Sequence, residues 1–399
     1  MAIDFSGPAR GDNFCFRAAF LDDLWSSLKE SNILLAGPRR MGKTSVMFHL
    51  LDFPCDNFLV VYLNAETLST PADFIIHLIL ALRAAQPQYF FEQLKIVDYE
   101  NILASAPGDL EPKEALKAGM NWGDAWEARA SQLIGRIRTV NQSILLVIDE
   151  LPDLFLNIQK KIPEQFEPFL RWFRAAREVS NSPIRWIAGG SASLVCTLDE
   201  TGQTEWINDF YHLVLPPFTL KEAENFVLKV FSQRGVRFDA RVIPRMQELL
   251  GKAIPFFLQV MVRELVDRWR LKEEKPLTAE VVDEVFERDL LGIRMLGHLQ
   301  HFHSRIELRY PEIEREAVYG LLKQLSLKNG VGLKDLFASY MKFESKRAKP
   351  RNEKQLMRSF GRLLKFLQID FYVEDIGGKR YDFASQLLKL WWKKYHAVQ

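Results

Sequence analysis

Short apolar runs closed by turn-forming residues recur through the first half of the chain. Residues 32–36 end at Gly37-Pro38, and residues 184–188 end at Gly189-Gly190. Residues 58–63 and 143–148 form two more such runs. Each has the length and unbroken apolar character of a strand buried on both faces. Helical spacing predicts helices over 72–85, 126–140 and 166–179 between the runs. Strands alternating with helices predict a doubly wound α/β domain around a parallel sheet. A further run at 212–215, stopped by Pro216-Pro217, reads as an edge strand.

Residues of about 87–121 break this rhythm: Pro87, Pro107 and Pro112 interrupt any long helix, so the segment reads as a partly helical insertion. After Phe218 the pattern turns helical. Thr219 and Glu222 have the spacing of a capping box, and helical spacing continues through 231, 239–250, 255–271 and 278–290. The last block predicts helices over 313–325, 333–340 and 352–367. A hairpin follows, with 371–375 and 379–383 joined through Gly377-Gly378. Three helices followed by a hairpin are the layout of a winged helix-turn-helix. The predicted division is an α/β domain over 1–218, a helical lid over 219–297 and a winged helix over 298–399.

Composition changes this picture little. Hydrophobic content of 48% with 26% charged residues belongs to a globular protein, and 399 residues exceed one ordinary core. The opening residues have no basic stretch leading into an apolar one, and no 18-residue window is continuously apolar, so a cytoplasmic protein without membrane contact is expected. Cys15, Cys55 and Cys196 lie far apart, which suggests neither a zinc site nor a disulfide framework and predicts buried small hydrophobes. Charge is more informative. From Gln300 onward there are 20 Lys and Arg against 11 Asp and Glu, about +9, which leaves about −7 for the rest.

Gly37-Pro38-Arg39-Arg40-Met41-Gly42-Lys43-Thr44 fits the phosphate-loop spacing G-x-x-x-x-G-K-[ST], with an apolar run before it and a helical pattern after it. Two glycines let backbone amides curl around phosphates, and the helix that follows, with Ser45 in its first turn, points its positive end at them. Lys43 adds a point charge and Thr44 a hydroxyl for magnesium. About 100 residues on, the apolar run 144–148 ends in Asp149-Glu150, which a parallel sheet would carry to its carboxyl edge. This predicts that Asp149 holds magnesium through water and that Glu150 acts as general base toward the attacking water. Ser191, just past Gly190, reads either as a polar sensor of the terminal phosphate or as a helix cap.

These features resemble the archaeal-type ATPase group of the AAA+-related signal-transduction ATPases with numerous domains, which is akin to origin-recognition initiators. The resemblance rests on residues 10–14 with Arg17; on the phosphate loop, its double arginine above all; on 147–150; on Gly190-Ser191; on 215–219; on 251–255; and on the closing 383–392. It implies ATP or ADP with Mg2+ as ligands, Phe14 and Arg17 flanking the adenine, and Pro255 near base or ribose. Two departures stand out: the group's Gly-x-Pro spacing is stretched to Gly251…Pro255, and Ala18-Ala19 follow Arg17 where acidic residues are usual.

No Lys or Arg occurs between Trp186 and Leu220, where a ring-forming motor would carry its cationic finger. Arg171, Arg174 and Arg177 could substitute, or could form a solvated helix face. Lys354, Arg358, Arg362 and Lys365 fall three or four residues apart on one predicted helix, opposite Leu356, Phe360, Leu363, Leu364 and Leu367. With Lys379 and Arg380 at the wing, they are the candidate contacts to duplex DNA; an intramolecular lock or a protein partner fits the same charges. Trp391 and Trp392 read as core. The expectation is an ATP-hydrolysing switch whose nucleotide state controls the winged helix. The alternative is a nucleotide-gated DNA-binding or adaptor protein in which hydrolysis is incidental. No set of residues outside the phosphate site suggests a fused nuclease, and the oligomeric state is not legible.

Overall fold

Five strands pair into one parallel sheet in the computed structural model, which describes residues 7–55, 58–85, 97–120, 122–123, 125–190, 198, 204–271, 275–344 and 352–397. The chain divides into two units, residues 4–215 and residues from Pro216 on. In the first, α1 (Ala18–Glu30) leads into β1 (Ile33–Ala36), α2 (Lys43–Asp52), β2 (Leu59–Asn64) and α3 (Pro71–Ala85). Two short helices, α4 (Val97–Ser105) and α5 (Pro112–Gly119), occupy the described part of the insertion. Then come α6 (Trp126–Arg138), β3 (Ile144–Asp149), α7 (Leu151–Lys161), α8 (Phe166–Ala175), β4 (Ile184–Gly189) and β5 (Tyr211–Val214).

The sheet order is β2-β3-β4-β1-β5, so β5 lies at an edge and β4 separates β1 from β3. Register aligns Asn64 with Asp149 and Leu35 with Gly189. All six residues of β3 are buried, as an unbroken aliphatic run inside a doubly covered sheet must be. One face of the sheet packs Ile144, Leu146, Ile148 and Trp186 against Phe74, Phe155, Phe169, Trp172 and Phe173 from α3, α7 and α8. Each such side chain contributes about 1.5–3 kcal/mol through its removal from water. Phe173 meets Trp186 edge-on at 5.5 Å, which fixes α8 on β4.

The sequence reading leaves α1 and α7 unassigned and carries α8 past its end. Helix α8 stops at Ala175 because Arg177 turns inward there: its side chain is fully buried and grips both carboxylate oxygens of Asp209 at 2.7 and 2.9 Å. The solvated face expected for Arg177 is therefore corrected. Arg171 does lie on the surface, paired with Glu167, while Arg174 is half-buried, paired with Glu178 and donating to the Glu205 carbonyl at 2.8 Å. The cysteine expectation is corrected as well: Cys15 is half-buried and Cys55 exposed, while Cys196 lies outside the described residues.

In the second unit α9 (Leu220–Arg234) opens on the Thr219/Glu222 capping box, with both reciprocal hydrogen bonds made, at 3.2 and 2.7 Å. Helices α10 (Val242–Leu250), α11 (Pro255–Leu271) and α12 (Ala279–Val285) follow, the last running into a π turn at Phe286–Leu290 where buried Asp289 meets Arg268 at 3.1 Å. Next come α13 (Ile293–Arg309), missed in the sequence, α14 (Glu312–Leu327), β6 (Val331–Gly332), α15 (Leu333–Glu344) and α16 (Glu353–Ile369). Strands β7 (Val373–Gly377) and β8 (Arg380–Phe383) and helix α17 (Gln386–His396) close the chain. The small antiparallel sheet has the order β6-β8-β7. Trp391 and Trp392, at 0% and 1% exposure, are core. Lys389 is buried beside them, with its ammonium donating to Asp382 and to the Lys328 and Asn329 oxygens, which pins the root of the hairpin. No described helix is long and apolar enough to cross a membrane.

Candidate functional site

The loop between β1 and α2 is shaped by three residues with positive φ: Gly37 at 148°, Arg40 at 72° and Gly42 at 92°. An L side chain at Gly42 would be strained whatever the space, so the glycine of the motif is a backbone requirement. Gly42 carries no capping side chain, and the amides of the first turn of α2, at the positive end of its dipole, suit an anion. Lys43 is 7% exposed and bridges the loop, with Nζ donating to the Gly37 and Pro38 carbonyls at 2.7 and 3.0 Å. Arg40 has its guanidinium pKa lowered by burial and by the neighbouring charge of Arg39. An anion between them would relieve both costs.

Strand β3 brings Asp149 to this loop. Its carboxylate is 3% exposed and fully directed: Oδ2 accepts from Thr44 Oγ1 at 2.7 Å and from the Tyr62 hydroxyl at 3.3 Å, and Oδ1 accepts from the Glu150 amide at 3.0 Å. A threonine hydroxyl beside a carboxylate is a hard-oxygen donor set that fits Mg2+. Glu150 sits at φ 52°, ψ 40°, a left-handed conformation that costs a non-glycine residue about 1–3 kcal/mol and is concentrated at functional sites. Its Oε2 is buried with no hydrogen-bond partner among the described residues. Burial, then the adjacent Asp149 charge, pushes its carboxyl up to about 7, with Arg39 opposing. A carboxyl poised near neutrality can take a proton from water.

Strand β4 ends between the two halves of the site, and its glycines make room for them. A Cβ on Gly189 would lie 1.9 Å from the Met47 methyl and 3.2 Å from Asp149 Oδ1; one on Gly190 would lie 2.3 Å from Pro152 at the start of α7. The sequence reading took these glycines as a strand end, with Gly190-Ser191 as part of the resemblance, and passed over Tyr62. The one available signal for Tyr62 was a hydroxyl inside an otherwise apolar run. Ser191 lies outside the described residues.

The other expected site residues are placed as follows. Arg17 is buried and donates to the Met41 carbonyl at 3.3 Å, bracing the loop. Phe14 stacks on His49 of α2 at 4.4 Å, and Ser45 Oγ accepts from the Ala9 amide at 2.9 Å. Pro255, in the second unit, is the buried first residue of α11. On α16, Lys354, Arg358 and Lys365 are exposed, but Arg362 is half-buried and donates to buried Glu314 at 2.7 Å. Arg362 is thus set apart from the solvent-facing basic row expected of it. Lys379 is exposed at the hairpin turn, and Arg380, also exposed, donates to the Asn329 and Gly330 carbonyls.

No family model matches the chain, and no curated protein matches it. Solved structures do. A Walker-type ATPase of Pyrococcus abyssi superposes with a TM-score of 0.63 at 17% identity, over 98% of this chain and 99% of that one. The ORC2 protein of Aeropyrum pernix, solved as ADPNP-ADP complexes, superposes with a TM-score of 0.56 at 14% identity, over 98% and 96%. The fold of this chain is that of the P-loop ATPases.

Proposed function

We propose that the protein is an ATP-binding and ATP-hydrolysing switch whose nucleotide state controls its C-terminal region. The observation that carries the reading is the 2.7 Å contact of Thr44 with Asp149, made beside buried Lys43 and beside a glutamate whose Oε2 has no partner among the described residues. In this reading the loop amides and Lys43 hold the β and γ phosphates, Arg39 and Arg40 add charge, and Thr44 and Asp149 hold Mg2+. The metal, when bound, supplies charge neutralisation at the phosphates. Glu150 takes the proton of the attacking water. The nucleotide is proposed to be adenine-based, as in the Aeropyrum complexes.

For the second unit we propose a helical domain over 219–297 and a winged helix over 298–399, with α14, α15 and α16 as its three helices and β7-β8 as its wing. The exposed row Lys354, Arg358 and Lys365, with Lys379 at the hairpin, favours duplex DNA as a ligand of this domain. Membership of the signal-transduction ATPase group remains part of the proposal.

The test is the steady-state ATPase rate with and without duplex DNA, with Lys43→Ala as blank. ATP turnover that Lys43→Ala abolishes, together with its nucleotide binding, is the expected result. A Lys43→Ala protein that still binds ATP with wild-type affinity would sink the assignment of the loop. Stimulation by DNA supports the winged helix as a DNA sensor; a rate indifferent to DNA favours an internally locked switch released by a protein.

A further inference from the structure

We infer that Tyr62 is a positioning residue that orients the metal-holding carboxylate of Asp149; this rests on the P-loop reading above. Tyr62 lies on β2, the strand hydrogen-bonded to β3, two residues before the Asn64–Asp149 register pair. From there its hydroxyl reaches Asp149 Oδ2, the same oxygen that Thr44 contacts. Its ring is held by Phe48 of α2, with centroids 4.8 Å apart, so the phenol cannot swing away without disturbing the helix that carries Thr44.

The three donors divide the carboxylate's capacity. An ionised carboxylate offers about four lone-pair positions. The Glu150 amide takes one on Oδ1, and the Thr44 and Tyr62 hydroxyls take two on Oδ2, which leaves Oδ1 the freer oxygen and sets its direction. Magnesium demands near-ideal octahedral geometry and gains little from a ligand that wobbles. Donors that orient a metal-binding carboxylate typically govern affinity by about 10–100-fold. The hydroxyl touches neither phosphate nor water in this scheme; it acts through Asp149 alone.

The test is Tyr62→Phe, which keeps the ring against Phe48 and removes only the hydroxyl. Binding of a fluorescent ATP analogue is measured first in EDTA, then along a Mg2+ titration. The expected result is unchanged affinity in EDTA and a rise of about 10-fold in the Mg2+ concentration at half-effect. In an Asp149→Asn background, Tyr62→Phe is expected to add nothing further. A Mg2+ titration that overlays the wild type overturns the inference. So does an equal loss of affinity in EDTA, which would make the role structural. Wild-type protein that fails to bind the analogue at all would instead overturn the P-loop reading, which separates the two failures.

Discussion

At the scale of one residue, the proposed hydrolysis rests on Glu150. Its backbone is in a left-handed conformation, its Oε2 is buried without a partner among the described residues, and its carboxyl is pushed up to about 7 by burial and by Asp149. A glutamate with a merely structural role has no need of these costs, whereas a base that must hold and release a proton near neutrality does. Glu150→Gln keeps the shape and removes the base. Nucleotide binding is expected to stay close to wild type while hydrolysis falls by about 10²-fold or more, as read by equilibrium binding and single-turnover hydrolysis. Unchanged turnover would place the base elsewhere. The Asp149-Glu150 pair was legible in the sequence because it ends a buried aliphatic run. Tyr62 was not, because its partner lies 87 residues away and only the pairing of β2 with β3 brings them together.

At the scale of elements, the contacts that count are those a helical wheel does not show. Arg177 ends α8 by turning its guanidinium between the rings of Phe173 and Phe210, at 4.2 and 4.3 Å, and by donating to Asp209 and to the Phe173 and Trp206 carbonyls. Breaking a buried pair leaves a desolvated charge, so Asp209→Ala is expected to cost about 3–5 kcal/mol in urea denaturation. The exposed Arg171–Glu167 pair is expected to contribute less than about 1 kcal/mol, so Arg171→Ala serves as the control. Equal losses in the two variants would refute this ranking. Spacing alone left Arg177 open between a catalytic finger and a solvated face. Its partner, 32 residues on, decides for a third outcome: an anchor of the segment after β4. The Thr219/Glu222 box needed no such help, because its two residues are three positions apart and cap the helix they begin.

Across the whole molecule, charge and histidine placement set the response to conditions. His396 of α17 stacks on His303 of α13 at 4.3 Å and lies against Trp391 and Trp392 at 4.7 and 5.1 Å. Burial, then the His303 charge, lowers its pKa to about 4 from an ordinary 6.5. Tyr319 stacks on the other ring, His303, with Glu307 beside both. The sign follows: the folded state favours neutral His396, so its contribution is fully present above about pH 6.5 and is lost as pH falls toward 4. The urea midpoint of the wild type is therefore expected to drop more between pH 6.5 and 4 than that of His396→Phe. Parallel pH curves for the two proteins would show that the stack does not titrate with folding.

The sequence by itself determined what depends on near neighbours. The phosphate loop, the acidic pair ending a buried strand, the parallel strand–helix alternation and the Thr219/Glu222 capping box are each set by near neighbours, where spacing and backbone preference decide the outcome. Only the tertiary structure decided which distant groups meet. Thr44 finds Asp149 across 105 residues, Arg362 turns toward Glu314 across 48, and Gly189 and Gly190 are required because Met47, Asp149 and Pro152 come to lie against them. The physical reason is strand order. Placing β4 between β1 and β3 sets the loop after β1 and the carboxylates of Asp149 and Glu150 on either side of one glycine-ended strand. No local pattern specifies that neighbour; it follows from how the apolar faces of the strands and helices are buried together.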